Sequence, residues 1–274
     1  MAAPIIIVGD ELLNRSFEDA VPWRWSTLLG ATFAPDRSGT PAALDGSATG
    51  KLVAAVVGMG FYQNVVPTIQ VLNSQPWVWQ IFGRTTSGSV TVTAAIRYYD
   101  SAGALLGSNT ANTGIISTAW TRVAVNGTVP ADNVAELRCE ITGVSGTTST
   151  SYWDLGHFGR RVDLTHKLAV VNAPDGAALT RSVSEGGRLE VRHLYLTNEL
   201  EVATYPELTS NVDTQFTLWW NLVSKGQTYH LLLDRADTSE GVHQDYYSLD
   251  QRLARRRLPG DRVEYSFTGW KVGT

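Results

Sequence analysis

Apolar and polar residues alternate with a period of two along most of this chain. Ser89-Val90-Thr91-Val92-Thr93-Ala94-Ala95-Ile96-Arg97-Tyr98-Tyr99-Asp100 keeps that rhythm and halts at Ser101-Ala102-Gly103. Ala104-Leu105-Leu106-Gly107-Ser108 resumes beyond the turn, so the two stretches predict a hairpin. Pro76 to Arg84 predicts another strand, with Trp77 and Trp79 at alternate positions. Trp120 to Thr128 predicts a third, closed by the Asn126-Gly127 dipeptide. Strands separated by short Gly/Ser/Thr turns, with no helical period between them, predict an antiparallel sandwich.

Past the segment 160–168 the composition becomes richer in Arg, Glu and Asp, and a boundary is expected there, dividing the chain into residues 1–163 and 164–274. The second part is again strand-like: Gly187 to Leu196 and Thr214 to Val223 both alternate, Lys225-Gly226 makes a turn, Thr228 to Leu233 continues, and Val263 to Trp270 closes the chain. Tyr246, Leu249 and Leu253, at i, i+3 and i+7, predict one short helix over 245–257. The fold class is therefore all-β, an N-terminal β-sandwich followed by a second, smaller β-rich domain of docking or assembly type.

Among 274 residues, 43% are hydrophobic and 18% charged, which suits a folded chain rather than a disordered one. A net charge of -4 provides no general attraction to nucleic acid or anionic lipid, so neither is expected as a partner. No apolar run is long enough to span a bilayer, and no membrane insertion is expected. Met1 to Asp10 has a short apolar run without a basic leader, which predicts a protein made and folded in a cytoplasm. Cys139 is the single cysteine, excluding an intrachain disulfide and a CxxC metal site; a buried structural thiol is expected.

Two short motifs bracket the first part: Asn14-Arg15-Ser16-Phe17-Glu18, followed by Trp23 and Trp25, and Tyr152-Trp153-Asp154-Leu155. Between them lie Gly46-Ser47-Ala48-Thr49-Gly50-Lys51-Leu52-Val53, Tyr62-Gln63-Asn64-Val65-Val66, the long strand around Trp79 to Arg84, and Ser117-Thr118-Ala119-Trp120-Thr121. In order and spacing, residues of about 10 to 160 resemble the jelly-roll carbohydrate-binding modules found beside cellulases and xylanases. Ser16 stands where that family has glycine, and its Pro-Gly turn is missing here.

The resemblance implies a jelly roll whose opening Glu18 and closing Asp154 contribute to a structural calcium site, completed by backbone carbonyls. Ca²⁺ readily mixes carboxylate and carbonyl oxygens. The alternative is that these carboxylates cap turns or pair with Arg15 or Arg160. Sugar binding needs flat aromatic faces for C–H surfaces and polar groups for hydroxyls. Trp77, Trp79, Gln80, Arg97, Tyr98 and Tyr99 supply both, and Trp77, Trp79, Gln80, Arg97 and Tyr99 are the candidate ligand residues; the alternative for the tryptophans is a place in the core. Trp23 and Trp25 are expected to cover the sandwich end.

No Gly-x-Ser-x-Gly, His-Glu-x-x-His or phosphate-loop motif occurs, the five histidines are scattered, and no carboxylate pair is singled out, so no catalysis is expected. Arg252, Arg255, Arg256 and Arg257 form a basic cluster, expected on a charged outer helix face or subunit interface. The expectation for the whole is a phage virion protein of tail, fibre or baseplate, assembled with other virion proteins as a homo-oligomer (trimer or hexamer), its jelly roll contacting host-surface glycans. The alternatives are a capsid decoration protein and a bacterial carbohydrate-binding or lectin-like protein.

Overall fold

The computed structural model describes residues 5–9, 11–13, 17–19, 24–44, 46–68, 70–110, 114–143, 149–163, 168–172, 176–183, 189–197, 199–204, 207–208, 216–217, 219–221, 228–232, 243–247 and 254–271. The first strands are β1 (Ile5–Val8), β2 (Ser26–Leu28), β3 (Thr32–Asp36), β4 (Thr49–Ala54), β5 (Gly60–Val65), β6 (Pro76–Thr85) and β7 (Val90–Tyr99). There follow β8 (Leu105–Thr110), β9 (Gly114–Ile116), β10 (Thr121–Thr128), β11 (Glu136–Gly143) and β12 (Ser149–Asp163). The chain divides into two compact units, one built on Ile7–Val162 and the other on Asp163–Asp234 and Gln244–Gly273.

The N-terminal unit is a jelly-roll sandwich of two antiparallel sheets. The first sheet runs β10-β6-β12-β4-β3. The second runs β2-β5-β11-β7-β8, with β9 sharing the β8 edge of β7. Alternation decides what lies between the sheets. Trp77, Trp79 and Ile81 of β6 face inward beside Val123 and Val125 of β10, and Trp153 and Phe158 of β12 join them. From the second sheet, Phe61 and Val65, then Ile96 and Tyr98, then Leu137, Cys139 and Ile141 point back at them. Cys139 is buried with its thiol free of any disulfide.

One end of this core is aromatic. Phe33 and Phe61 stack at 4.0 Å between ring centroids, and Phe17, Trp25 and Trp153 pack edge-on or tilted around them. Asn14 to Ser16 and Trp23 of the opening motif lie outside the described residues. The β7–β8 hairpin forms as its sequence predicts. The Asp100 carboxylate accepts the amides of Ala102 (2.9 Å) and Ala104 (2.8 Å), an Asx-type turn that closes it.

Asn126-Gly127 is not a turn: both residues sit inside β10, paired with Val78 and Trp77 of β6. Gly127 is there because a side chain at that point would collide with the Tyr98 hydroxyl arriving from the other sheet. β12 carries a bulge. Asp154 pairs with Phe82 and His157 with Gln80, so one extra residue is accommodated, with Leu155 at φ 52.

The second unit contains β13 (Leu168–Asn172), β14 (Gly176–Val183), β15 (Leu189–Thr197), β16 (Glu199–Thr204), β17 (Glu207–Leu208), β18 (Tyr229–Leu232), β19 (His243–Tyr247), β20 (Ala254–Leu258) and β21 (Arg262–Lys271). Strand β21 is its axis, pairing with β16, β17, β19 and β20, while β14 and β15 form a separate hairpin. Two stretches fold otherwise than their spacing predicts. The stretch read as a strand over 214–223 is helical at 216–217 and 219–221. Phe216 and Trp219, three apart, are both fully buried; Phe216 stacks on Tyr265 at 4.8 Å and Trp219 lies 4.4 Å from Phe267. The helix read over 245–257 is replaced by β19 and β20, because 254–258 pairs residue for residue with 262–266 across a tight turn at Gly260. Lys225, Gly226, Leu249, Arg252 and Leu253 lie outside the described residues.

Candidate functional site

With Ile96 and Tyr98 of β7 turned into the core, Arg97 and Tyr99 must point out of the second sheet. The pairing register carries this parity across: Arg138 of β11 lies opposite Arg97 and opposite Asn64 of β5, and Glu140 lies opposite Tyr62. One outer face therefore holds Tyr62, Asn64, Arg97, Tyr99, Arg138 and Glu140.

Their contacts form two adjoining groups. Arg97 Nη2 donates to Glu140 Oε1 at 2.6 Å, with the carboxylate 5% exposed and the arginine 37%. The Glu140 hydrogen bond raises the Arg97 pKa above its ordinary value, against partial burial. Arg138 Nε donates to Asn64 Oδ1 at 2.8 Å. Its guanidinium lies 4.5 Å from the Tyr62 ring centroid and 4.8 Å from that of Tyr99. Each such cation–π contact contributes about 0.5–1 kcal/mol at a solvent-facing site. The result is a planar cation fixed between two aromatic rings, beside a neutralised ion pair, on a solvent-facing sheet.

The five candidate sugar residues are split three ways. Arg97 and Tyr99 come together on this face. Trp77 and Trp79 are both 0% exposed, inside the sandwich, and offer no surface to a ligand; β6 is flanked by β10 and β12 and turns its indoles toward the opposite sheet. Gln80 lies on the outer side of the first sheet, buried, where its Oε1 accepts from Arg122 Nη1 at 3.2 Å opposite His157. Tyr62, Asn64, Arg138 and Glu140 were not foreseen. Their signal was present in Tyr62-Gln63-Asn64 and Arg138-Cys139-Glu140, each alternating about a buried residue.

Glu18 and Asp154 both serve the loop that precedes β4. Glu18 Oε1 accepts the amides of Ser47 (2.5 Å) and Ala48 (2.7 Å), its Oε2 accepts the Ser47 hydroxyl (3.0 Å), and Arg37 donates to its backbone carbonyl. Burial pushes the Glu18 carboxyl up, but these amides, the hydroxyl and the Arg37 charge outweigh it and hold the pKa below its ordinary value. Asp154, fully buried, accepts the amide of Leu44 at 2.6 Å and that of Leu155 at 2.7 Å. N–H donors thus reach both carboxylates, which grip different stretches of the loop. Among the described residues no three acidic, histidine or cysteine side chains converge. As placed, both carboxylates clip this loop through its amides, which is the turn-capping alternative to a calcium set.

No family model matches this chain, and no curated protein matches it. Solved structures do. The CBM22-1 xylan-binding domain of Paenibacillus barcinonensis Xyn10C aligns at a TM-score of 0.45 and 12% identity, over 56% of this chain and 96% of that one. The C-terminal family 22 carbohydrate binding module of Clostridium thermocellum Xyn10B aligns at 0.42 and 15%, over 53% and 90%. The enzymatically active domain of tailspike protein 4 of Bacteriophage CBA120 aligns at 0.44 and 16%, over 55% of this chain and 21% of that one. Likeness this distant carries no argument about ligand or role; the sandwich stands on its own strand pairing.

Proposed function

We propose that the N-terminal sandwich is a non-catalytic glycan-binding module whose site is the outer face of the second sheet. The observation that carries this reading is the Tyr62–Arg138–Tyr99 stack beside the Arg97–Glu140 pair: ring faces for sugar C–H surfaces and fixed donors for hydroxyls, on one solvent-facing surface. The biological setting that suits it is a structural protein of a phage virion, at the tail, fibre or baseplate, with the second β-rich unit docking to other virion proteins and the module facing host-surface glycans. A single shallow sugar face binds weakly, and a trimer or hexamer would multiply it through effective concentration. The test is a glycan array probed with the whole protein and with Tyr99→Ala: reproducible hits that vanish in the variant support the reading, and an empty array for a folded protein sinks it. Antibody labelling of particles by electron microscopy tests the virion setting.

A further inference from the structure

We infer that this face selects a sugar bearing a carboxylate, which docks on the guanidinium of Arg138. The inference rests on the glycan-binding reading above and deepens it.

Arg97 and Glu140 neutralise one another at 2.6 Å, so neither is left to recruit a ligand by charge. Arg138 differs. Among the described residues no carboxylate lies within ion-pair distance of it, and its only polar partner is a neutral amide, Asn64, which takes Nε. Glu136, two residues earlier on β11 and opposite Tyr99, is the remaining acid on this face and makes no ion pair with it among the described residues. Among the described residues, nothing accepts from either terminal nitrogen of Arg138.

A cation without an acid partner usually waves in solvent on a flexible stem; this one is immobilised by two rings and a hydrogen bond. Its ordering entropy is spent in the free protein rather than on binding. A fixed guanidinium edge with paired N–H donors matches the two oxygens of a carboxylate far better than a single hydroxyl. A hexuronic acid residue presents that carboxylate on a pyranose ring, and Tyr62 and Tyr99 lie either side of the fork to meet its C–H surface.

The experiment compares polygalacturonate, the same polymer fully methyl-esterified, neutral xylan and dextran sulfate, by calorimetry on the intact protein and on Arg138→Gln and Arg138→Lys, with thermal melting confirming folding. The expected result is binding to polygalacturonate tighter than to its ester by about ten-fold or more, weakened by salt, lost in Arg138→Gln and partly kept in Arg138→Lys. Equal binding of acid and ester, or neutral xylan binding that Tyr99→Ala abolishes and Arg138→Gln does not, overturns the acidic-ligand inference and leaves the glycan reading standing. Binding of dextran sulfate that exceeds polygalacturonate, or acidic binding indifferent to Arg138→Gln, overturns it as bulk ion exchange. Failure to bind any of the four polymers, by a folded protein that also leaves a glycan array empty, overturns both.

Discussion

Strands β6 and β7 are each a ten-residue run carrying aromatic residues, Trp77 and Trp79 at alternate positions in one and the adjacent pair Tyr98-Tyr99 in the other, yet they spend those residues in opposite ways. β6 lies between β10 and β12 and turns Trp77 and Trp79 inward. β7 turns Tyr98 inward and Tyr99 outward, and the outward side continues across β11 and β5 through Arg138 and Tyr62. Aromatic residues therefore mark a strand with something to pack but do not say which face meets solvent. Company decides that: the parity that carries Arg97, Arg138 and Glu140 cannot be the core side, because a core has nothing to solvate them.

The comparison can be broken most forcefully at Trp79. Trp79→Ala should lower unfolding free energy by about 3–5 kcal/mol, read by urea denaturation, while whatever remains folded keeps its glycan affinity. A loss of affinity with stability unchanged would move the site to the wrong strand. Next in size is Asp154→Ala, which strands the Leu44 amide and should cost about 1–3 kcal/mol in the same measurement. Tyr99→Ala should do the reverse of the tryptophan change: glycan affinity falls several-fold or more, and the melting temperature moves little, since removing one solvent-facing cation–π contact costs about 0.5–1 kcal/mol.

The smallest effect concerns pH. The Glu18 pKa is lowered in the fold, so its contribution is complete above the ordinary carboxylate range and is lost as pH falls through its lowered value. The Ser47 and Ala48 amide resonances should stay constant down to the ordinary glutamate range and shift below it. In Glu18→Gln, which keeps an acceptor but cannot titrate, that shift should disappear.

The sandwich was legible because its evidence is local. The Ser101-Ala102-Gly103 turn, with Asp100 to cap it, announces the β7–β8 hairpin from adjacent residues. The face was only half legible. Arg97 and Tyr99 share a strand and could be paired by parity, whereas Tyr62 and Arg138 join them only through the order β5-β11-β7, in which no two neighbours are consecutive in sequence. The second unit misled for a different reason. In Phe216-Thr217-Leu218-Trp219-Trp220, apolar residues satisfy both the two-residue and the three-to-four-residue spacing, and only packing against Tyr265 and Phe267 selects the helix. Likewise Asn126-Gly127 reads as a turn locally, and the reason it is not one, the Tyr98 hydroxyl, arrives from a strand nearly thirty residues earlier.

The extra residue in β12 has a practical corollary for engineering. Between Asp154 and His157 the strand advances three positions while β6 advances two, so dropping Leu155 would restore even spacing and leave Trp153 and Phe158 inside and Asp154 and His157 outside. Shortening the strand by one well away from the bulge would exchange its two sides and turn a tryptophan or a phenylalanine away from the sandwich core. The bulge at Leu155 and Gly156 is where this long strand tolerates the loss of one residue.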